Sequence, residues 1–397
     1  MTDPMKSPLF PRELLDQPTL ARRAYFQTYT VAHPSLADVD QKVANALREP
    51  GGALLIFVVG PTGVGKSTFL ARLEQRLIEQ AIARMEVDPS HRPVVNIQAK
   101  VPASREFRWG IFYTQGLMAL HEPLLNHKVD PRASLSLGAG ERRRFVIPRM
   151  TGDADVLRLS WEQAVAHCRP VAILIDEAHH MGQAARNEKL LERLEHLKCL
   201  AISTNTVHIL VGTYKLLAFR DLNAQLARRS IDIHFPRYQV MEKNERRAFK
   251  NVLLAFQRHL PLEEMPDLVS QWEFCYTYTA GCVGLLKEWL MKALGEALET
   301  GAKTISPTLL AHHAPSPARC DQMITEIEEG EGYFKCDDEA EDRLRARLGL
   351  SPRRRNTTAT PDRQGEERQH ATVPSARPVG QRLPTHDPLK GGAEIHE

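Results

Sequence analysis

A single lysine within a glycine-rich stretch is the residue of this sequence best suited to chemistry. The stretch GPTGVGKST occupies residues 60–68 and matches the pattern G-x-x-x-x-G-K-[ST]. Glycines let successive backbone N–H groups turn toward phosphate oxygens, and a following helix presents its positive N-terminal end to the same anion. Lys66 would reach the β- and γ-phosphates, and the Ser67 hydroxyl would bind Mg²⁺. The residues expected to hold the phosphates are Gly60, Pro61, Thr62, Gly63, Val64, Gly65, Lys66, Ser67 and Thr68.

Two adjacent carboxylates follow a later apolar run and complete the predicted site. The stretch VAILIDEAHHM, residues 171–181, has the pattern of a buried strand that ends in Asp176 and Glu177. Asp176 is placed to hold Mg²⁺ through its water shell. Glu177 can polarise a water molecule for attack on the γ-phosphate, which is the work of a general base. The sequence therefore predicts hydrolysis of a nucleoside triphosphate.

The letters DEAHH also invite comparison with DEAH-box helicases, a comparison that we reject. Such enzymes need a second motor domain with an arginine-rich motif, and after Phe235 only a short helical region remains. We interpret His179 and His180 as residues at the start of a helix near the site, without a catalytic part. Metal binding by these histidines is not favoured, because no third ligand occurs at a useful spacing.

Two further polar positions are expected to act on the phosphate. The stretch TNTVHILVGT, residues 204–213, is a buried-strand pattern with a polar end, and Thr213, with Asn205 behind it, is the candidate to contact the attacking water or the γ-phosphate. Arg228 and Arg229 precede another strand-like run. An arginine there can reach the nucleotide of a neighbouring subunit and stabilise charge on the transferred phosphoryl group, or it can lie on a solvated helix end.

Alternating strand and helix patterns predict the fold that must position these residues. From Leu54 to about Phe235 apolar runs alternate with helical stretches, which predicts an α/β fold: a parallel sheet flanked by helices. After Pro236 the pattern is helical. We predict five segments: an N-terminal arm and lead-in helix over 1–50, an α/β domain over 51–236, a helical lid domain over 237–312, a helical or linker segment over 313–350, and a disordered tail over 351–397. The tail has no Phe, Trp or Tyr and many prolines.

Composition excludes several classes of protein. The chain of 397 residues has 42% hydrophobic and 25% charged residues, as in globular proteins. Its apolar runs are too short to cross a bilayer, and the N-terminal residues lack an apolar signal core, so we expect a cytoplasmic protein. The six cysteines include no CxxC pair and are read as reduced, mostly buried thiols. The net charge of +3 neither proves nor excludes a nucleic-acid partner.

With these motifs in place, the chain resembles the AAA+ ATPases, and within them the transposition regulators of the TnsC and TniB type, which are related in function to MuB and IstB. The resemblance spans about residues 35–310 and depends on the stretches GPTGVGKST, ILIDEAHHM, ILVGT, LARRS followed by IDIHFPRY, and TAGCVGLLKEWL. It implies the P-loop AAA+ fold with a small C-terminal helical lid, and ATP as the nucleotide. It also implies Asp176 and Glu177 as the Walker-B pair, Thr213 as first sensor, and Arg228 or Arg229 as the arginine finger. Many lids of this class place an arginine as second sensor, where this stretch offers only Lys287.

The resemblance further implies an ATP-bound protein that forms rings or helical filaments on duplex DNA, with a hexamer or heptamer per turn. Such a protein selects an insertion site with a target-selector protein and recruits the transposase. An insertion around residues 121–155 contains a basic run, and the candidate DNA contacts are Lys100, Arg105, Arg108, Arg142, Arg143, Arg144 and Arg149. These residues can equally form a solvated face. Two other functions share the nucleotide motifs: a nucleotide-switched signalling scaffold that does not bind DNA, and a helicase loader.

Overall fold

The structure is a computed structural model that describes residues 10–100, 107–122, 154–182, 187–220, 229–334 and 338–350. The described residues up to Phe334 form one compact unit. The helix Asp338–Arg347 belongs to a second unit. The predicted tail over 351–397 lies outside the described residues, as does most of the predicted insertion.

Five parallel strands form one sheet. They are β1 (Leu55–Val59), β2 (Val94–Gln98), β3 (Ala172–Asp176), β4 (Val207–Gly212) and β5 (Ser230–His234). Their spatial order is β2-β3-β4-β1-β5, and every neighbouring pair is parallel. β1 lies inside the sheet and is buried along its whole length, which explains its uninterrupted apolar sequence LIFVV. The predicted parallel sheet flanked by helices is confirmed.

Helices cover the sheet and then continue as a separate helical region. The first helix, α1 (Thr19–Thr28), precedes the sheet in the chain. The helices that accompany the strands are α2 (Pro34–Arg48), α3 (Lys66–Val87), α4 (Trp109–Ala119), α5 (Ala154–Cys168), α6 (Asn187–Thr204) and α7 (Leu217–Arg220). The helical region contains α8 (Lys243–His259), α9 (Trp272–Thr279), α10 (Val283–Thr300), α11 (Pro307–His312) and α12 (Pro317–Gly332).

Alternate side chains of β1 supply the cores on the two faces of the sheet. Phe57 belongs to a core with Tyr113 and Trp161 on one side, whereas Val58 joins a core with Phe69 on the other. The period of two along a strand produces this division. The helical region has its own core, built largely from α8 and α10.

Helix α1 is an element that the sequence analysis missed, because it falls within the predicted N-terminal arm, where only the later lead-in helix was expected. Its Phe26 is completely buried, and the ring packs edge-on against Phe256 of α8. Helix α1 therefore packs in the helical region, although it precedes the sheet in the sequence. The lead-in helix expected after it is present as α2.

The described cysteines are unpaired, and all but the exposed Cys199 are buried, as predicted; Cys336 lies outside the described residues. Among the described helices, none combines the length and the apolar character needed to cross a membrane.

A buried ion pair ties α12 back to the end of β5. The guanidinium of Arg237 donates to both carboxylate oxygens of Glu331, at 2.9 and 3.3 Å, and Gln239 donates to one of them at 3.0 Å. The side chains of Arg237 and Glu331 are only 11% and 7% exposed. Breaking a buried pair leaves an uncompensated charge in a medium of low dielectric constant.

We therefore expect Glu331→Gln to lower the free energy of unfolding by about 3 kcal/mol. Urea denaturation followed by circular dichroism measures this quantity. The matched control is Glu299→Gln, whose carboxylate pairs with Arg23 at 3.4 Å but is 72% exposed; its loss should cost less than about 1 kcal/mol. Equal effects of the two substitutions would contradict a stabilising role for the buried ion pair between Arg237 and Glu331.

Candidate active site

The ends of three neighbouring strands create the site. β3, β4 and β1 lie side by side in the sheet, and the carboxyl ends of parallel strands meet at one edge. The glycine-rich loop follows β1, Asp176 ends β3, and Thr213 follows β4. Residues separated by more than a hundred positions in the sequence are thereby brought together.

The glycine-rich loop turns into α3 through Gly65. This residue is the N-cap of α3 and has a φ of +118°, in the region that favours glycine. α3 then begins at Lys66, so its free N–H groups and its positive end face the loop. Of the remaining loop residues, Pro61 and Val64 are buried and Thr62 is exposed. The arrangement is suited to binding a phosphate chain.

The Lys66 ammonium is held inside this loop. The residue is 7% exposed, and Nζ donates to the carbonyl oxygens of Gly60 at 3.1 Å and Pro61 at 2.8 Å. Burial lowers the pKa of Lys66, while the nearby Glu177 and Asp176 carboxylates act in the opposite direction. The amine is therefore positioned where phosphate oxygens would replace carbonyl oxygens as its partners.

Two oxygens meet where Mg²⁺ is expected. Ser67 Oγ lies 3.5 Å from Asp176 Oδ2, although the two residues are 109 positions apart. Hard oxygen donors of this kind, next to a phosphate loop, suit Mg²⁺, which binds oxygen at about 2.1 Å and keeps several waters. The residues fit the ion: Ser67 and Asp176 would hold it, and when bound it would neutralise charge on the β- and γ-phosphates.

Glu177 has a constrained backbone beside the loop. Its φ is +52°, in the left-handed region that non-glycine residues rarely adopt, and its N–H donates to Asp176 Oδ1 at 2.8 Å. Strain of this kind persists where surrounding contacts impose it, and it occurs often at functional sites. Because of this turn, the carboxylates of Asp176 and Glu177 point in different directions.

His179 approaches the Glu177 carboxylate, a contact that the sequence analysis did not predict. His179 Nδ1 lies 3.2 Å from Glu177 Oε2, but the two atoms are not aligned for a hydrogen bond, and this buried nitrogen has no other partner. Burial, with the charges of His180, Lys66 and Lys215, lowers the pKa of His179 to about 4. The ring is therefore neutral at pH 7, where its Nδ1–H can donate to Glu177 after a small rotation.

His180 anchors the same turn. Its Nδ1 lies 3.0 Å from the carbonyl oxygen of Ala99, which follows β2. The two histidines belong to the 3₁₀ helix Ala178–Gly182, and their rings are 4.3 Å apart. The signal in the sequence is the pair of histidines directly after the carboxylates. The expectation that no third ligand lies at a useful spacing is wrong, because ligand atoms of Glu177, His179 and His180 all lie within 4.8 Å of one another.

Thr213 borders a cavity next to the loop. Its Oγ1 is buried without a hydrogen-bond partner, and the residue lines a cavity of about 710 Å³ together with Pro61, Thr62 and Leu285. A buried hydroxyl in this condition can bond a water molecule or a phosphate oxygen. Asn205, the second candidate for this contact, precedes the amino end of β4, whereas the loop lies at the carboxyl ends of the strands, so its candidacy is wrong.

The helical region contacts the loop through backbone atoms. The N–H of Leu285, near the start of α10, donates to the carbonyl oxygen of Gly63 at 3.1 Å. A Cβ added to Gly284 would lie 2.5 Å from the same oxygen, closer than real contacts allow. Glycine at 284 is what permits this approach.

Lys287 is placed elsewhere than the second-sensor prediction requires. Its Nζ donates to the carbonyl oxygen of Gln27 in α1 at 2.7 Å, and burial lowers its pKa. This hydrogen bond joins α10 to the N-terminal helix α1, so the ammonium of Lys287 is directed to α1 and not to the glycine-rich loop.

The other predicted residues are spread around this site. Lys100 is exposed and follows β2, and Arg229 is exposed and directly precedes β5. The carbonyl of Arg229 accepts from Leu54 N at 3.1 Å, which puts it at the edge of the sheet opposite the loop. Arg105, Arg142, Arg143, Arg144, Arg149 and Arg228 lie outside the described residues.

Comparison with known proteins supports the class that this geometry indicates. Residues 47–219 match a protein-family model described as AAA domain. A comparison with curated proteins finds no match.

Several solved structures have a similar fold, and three of them are described here. The Aeropyrum pernix ORC2 protein, in ADPNP-ADP complexes, is 14% identical, with a TM-score of 0.46 over 74% of this chain and 71% of that one. The A. pernix ORC1 protein in complex with DNA is 15% identical, with a TM-score of 0.46 over 73% and 68%. Domain III of the Thermotoga maritima replication initiation protein DnaA is 13% identical, with a TM-score of 0.38 over 81% and 99%. At these TM-scores the likenesses carry no argument about function.

The fold and the site together define a P-loop ATPase with the AAA+ fold. A glycine-rich phosphate loop follows a central strand of a parallel sheet, an acidic pair follows the strand two places away, and the AAA-domain match includes both. Nucleotide binding is the property that these features share.

We expect Gly284→Val to weaken ATP binding about 10-fold, equal to about 1.4 kcal/mol. The added side chain would collide with the Gly63 carbonyl and push the start of α10 off the loop. Isothermal titration calorimetry with magnesium and ATP measures the affinity. Gly332→Ala, where an added Cβ meets nothing within 4 Å, is the control, and unchanged affinity in Gly284→Val would refute the role given to this contact.

A second prediction concerns His179 as a positioning residue. His179→Ala should lower kcat roughly 10- to 100-fold with little change in KM for ATP, because Glu177 loses the group that orients it. His179→Asn should restore most of the rate, since its amide nitrogen takes the place of Nδ1. Steady-state ATPase assays separate kcat from KM. A rate in His179→Asn as low as in His179→Ala would show that the imidazole only fills space.

Proposed function

We propose that this chain is an ATP-dependent, DNA-binding AAA+ regulator of DNA transposition. It oligomerises on duplex DNA and links selection of the insertion site to recruitment of the transposase. In this proposal Asp176 and Glu177 are the Walker-B pair, Thr213 is the first sensor, and Lys66 binds phosphate. Hydrolysis is slow, depends on assembly, and times disassembly more than it drives movement.

The observation that carries the proposal is where the stretches of the family resemblance lie. TAGCVGLLKEWL supplies the Gly284 and Leu285 contact with the glycine-rich loop, and ILVGT ends in the unpartnered Thr213 hydroxyl. In FPRY, Phe235 packs edge-on against Phe69 of α3, and Arg237 forms the buried pair with Glu331. The stretches on which the resemblance to transposition regulators depends therefore contact the glycine-rich loop, α3 or α12, and this supports the proposal.

The position of Arg229 supports hydrolysis that depends on assembly. The phosphate loop follows the carboxyl end of β1, whereas Arg229 sits beside its amino end, roughly 16 Å away along five residues. An exposed arginine so placed does not serve its own nucleotide. It suits the role of a finger that enters the site of the next subunit, shared in this proposal with Arg228.

DNA contact at Lys100 would lie close to the hydrolytic pair. β2 is paired in register with β3, Gln98 opposite Asp176, and Ala99 N donates to the Asp176 carbonyl at 2.9 Å. The exposed Lys100 comes next. Lysines that neutralise phosphates give binding that falls with salt and tolerates many sequences, as a regulator of insertion at varied targets requires. Arg105 and Arg142–Arg144 are proposed to extend this contact.

The proposal predicts the behaviour of Glu177→Gln. This variant should bind ATP as the wild type does, hydrolyse it at least about 100-fold more slowly, and persist on duplex DNA as long assemblies. Electron micrographs with duplex and ATP, together with a phosphate-release assay, report both properties. Glu188→Gln changes an exposed carboxylate at the start of α6 and should leave both unchanged.

Each competing function predicts a different experimental result. A variant that stays monomeric with ATP and duplex would overturn the assembly proposal. A signalling scaffold would show no salt-dependent retention of duplex, and a helicase loader would co-purify with a helicase. Failure of wild-type protein to take up magnesium-ATP would overturn the site itself.

A further inference from the structure

Two histidines and a glutamate meet at the end of the helical region farther from the phosphate loop. Glu296 projects from α10, His312 is the last residue of α11, and His313 follows it. Glu296 lies eleven residues beyond Leu285, so roughly 17 Å of helix separates this cluster from the loop contact. His313 also lines the far part of the cavity that Thr213 borders, and none of the roles given above to the ATPase site uses these three side chains.

The potential ligand atoms converge on one carboxylate oxygen. His312 Nδ1 lies 3.2 Å from Glu296 Oε2, and His313 Nε2 lies 2.5 Å from the same oxygen. The three ligand atoms are all within 4.8 Å of one another. Two side chains from the end of α11 thus share a single acceptor on α10.

The His313 contact is not an ordinary ion pair. Nε2 is buried, and despite its closeness to Glu296 it makes no hydrogen bond, so an N–H there would not point at the oxygen. A buried ring nitrogen without a partner is unfavourable. A metal cation between the ring and the carboxylate would satisfy both groups. The lone pair of Nε2 would bind the cation on one side, and the carboxylate oxygen would bind it on the other.

We propose that Glu296, His312 and His313 form a binding site for a transition-metal ion of the Zn²⁺ class. Two imidazole nitrogens and one carboxylate oxygen are a donor set that Zn²⁺, Co²⁺ and Ni²⁺ accept, whereas Mg²⁺ prefers oxygen alone. Tetrahedral ligands about 2.1 Å from zinc lie about 3.4 Å apart, close to the distance between His312 and Glu296. The His313 ring must move outward by roughly 1 Å, and water takes the fourth position.

The site would fasten α10 to the turn that begins α12. α12 starts four residues after His313, borders the cavity beside Thr213, and carries Glu331 of the buried ion pair. The His312 side chain is 71% exposed, so an ion can reach the site from solvent. Bound metal would act as a cross-link between two helices, distinct from the Mg²⁺ that accompanies ATP.

Titration of the untagged, metal-free, nucleotide-free full chain with Co²⁺ tests the proposal. We expect one Co²⁺ per chain with visible absorption of the tetrahedral type, displaced by Zn²⁺. His312→Asn and Glu296→Gln should each weaken Co²⁺ binding at least 10-fold. If Glu296→Gln does not fold, His312→Asn still tests the proposal, because the His312 side chain is exposed. ATPase activity should remain unchanged in His312→Asn.

Two controls keep the result specific. His121→Asn alters an exposed histidine whose φ of +56° suits asparagine, and it should bind Co²⁺ as the wild type does. His179→Asn changes the other cluster able to hold a metal, Glu177 with His179 and His180, and should also bind normally. The proposal is overturned if the wild type takes up no Co²⁺ at micromolar concentrations, or if His312→Asn binds as tightly as the wild type.

Discussion

The burial of the Lys66 ammonium is the constraint on which the nucleotide site depends. A cation removed from water is stable only where acceptors or opposite charges surround it. Two loop carbonyls supply the acceptors, and the acidic pair at the end of β3 supplies the charge. The acidic pair lies near the loop because β1 and β3 end at the same edge of the sheet, with β4 between them. The fold therefore fixes the charge balance of the site before any nucleotide binds.

The contact between α10 and the loop shows how the lid differs from the expected pattern. A cationic second sensor was expected, but the residue that touches the loop is a glycine, and Lys287 bonds to α1. Backbone contact replaces side-chain contact, and the N-terminal end of α10 brings a helix dipole to the phosphate region without a formal charge. Lys287 instead links the helical region to the segment that precedes the sheet.

The sequence predicted the chemistry of the site better than its supporting contacts. GPTGVGKST and the acidic pair could be located because each is local, and apolar strands have a period that reveals them. Asn205 was wrongly chosen as the second candidate because it lies before the amino end of β4, whereas the loop lies at the carboxyl ends of the strands. The approach of His179 to Glu177 and the pair of Arg237 with Glu331, 94 residues apart, depend on tertiary packing, which leaves no local signal. Helix α1 escaped notice because its apolar face is short and is completed only by α8 and α10.

The unsatisfied groups of the site have a common physical meaning. The Thr213 hydroxyl and His179 Nδ1 are both buried without hydrogen bonds; Thr213 lines the cavity beside the loop, and His179 lies next to the Glu177 carboxylate. Unpaired buried polar atoms cost free energy, and they are retained where a ligand supplies the missing partners. A bound nucleotide would give the Thr213 hydroxyl a partner, and a small rotation would let His179 Nδ1–H donate to the Glu177 carboxylate. The free energy lost in the empty arrangement would then be regained when the nucleotide binds, so that these two residues favour the loaded state.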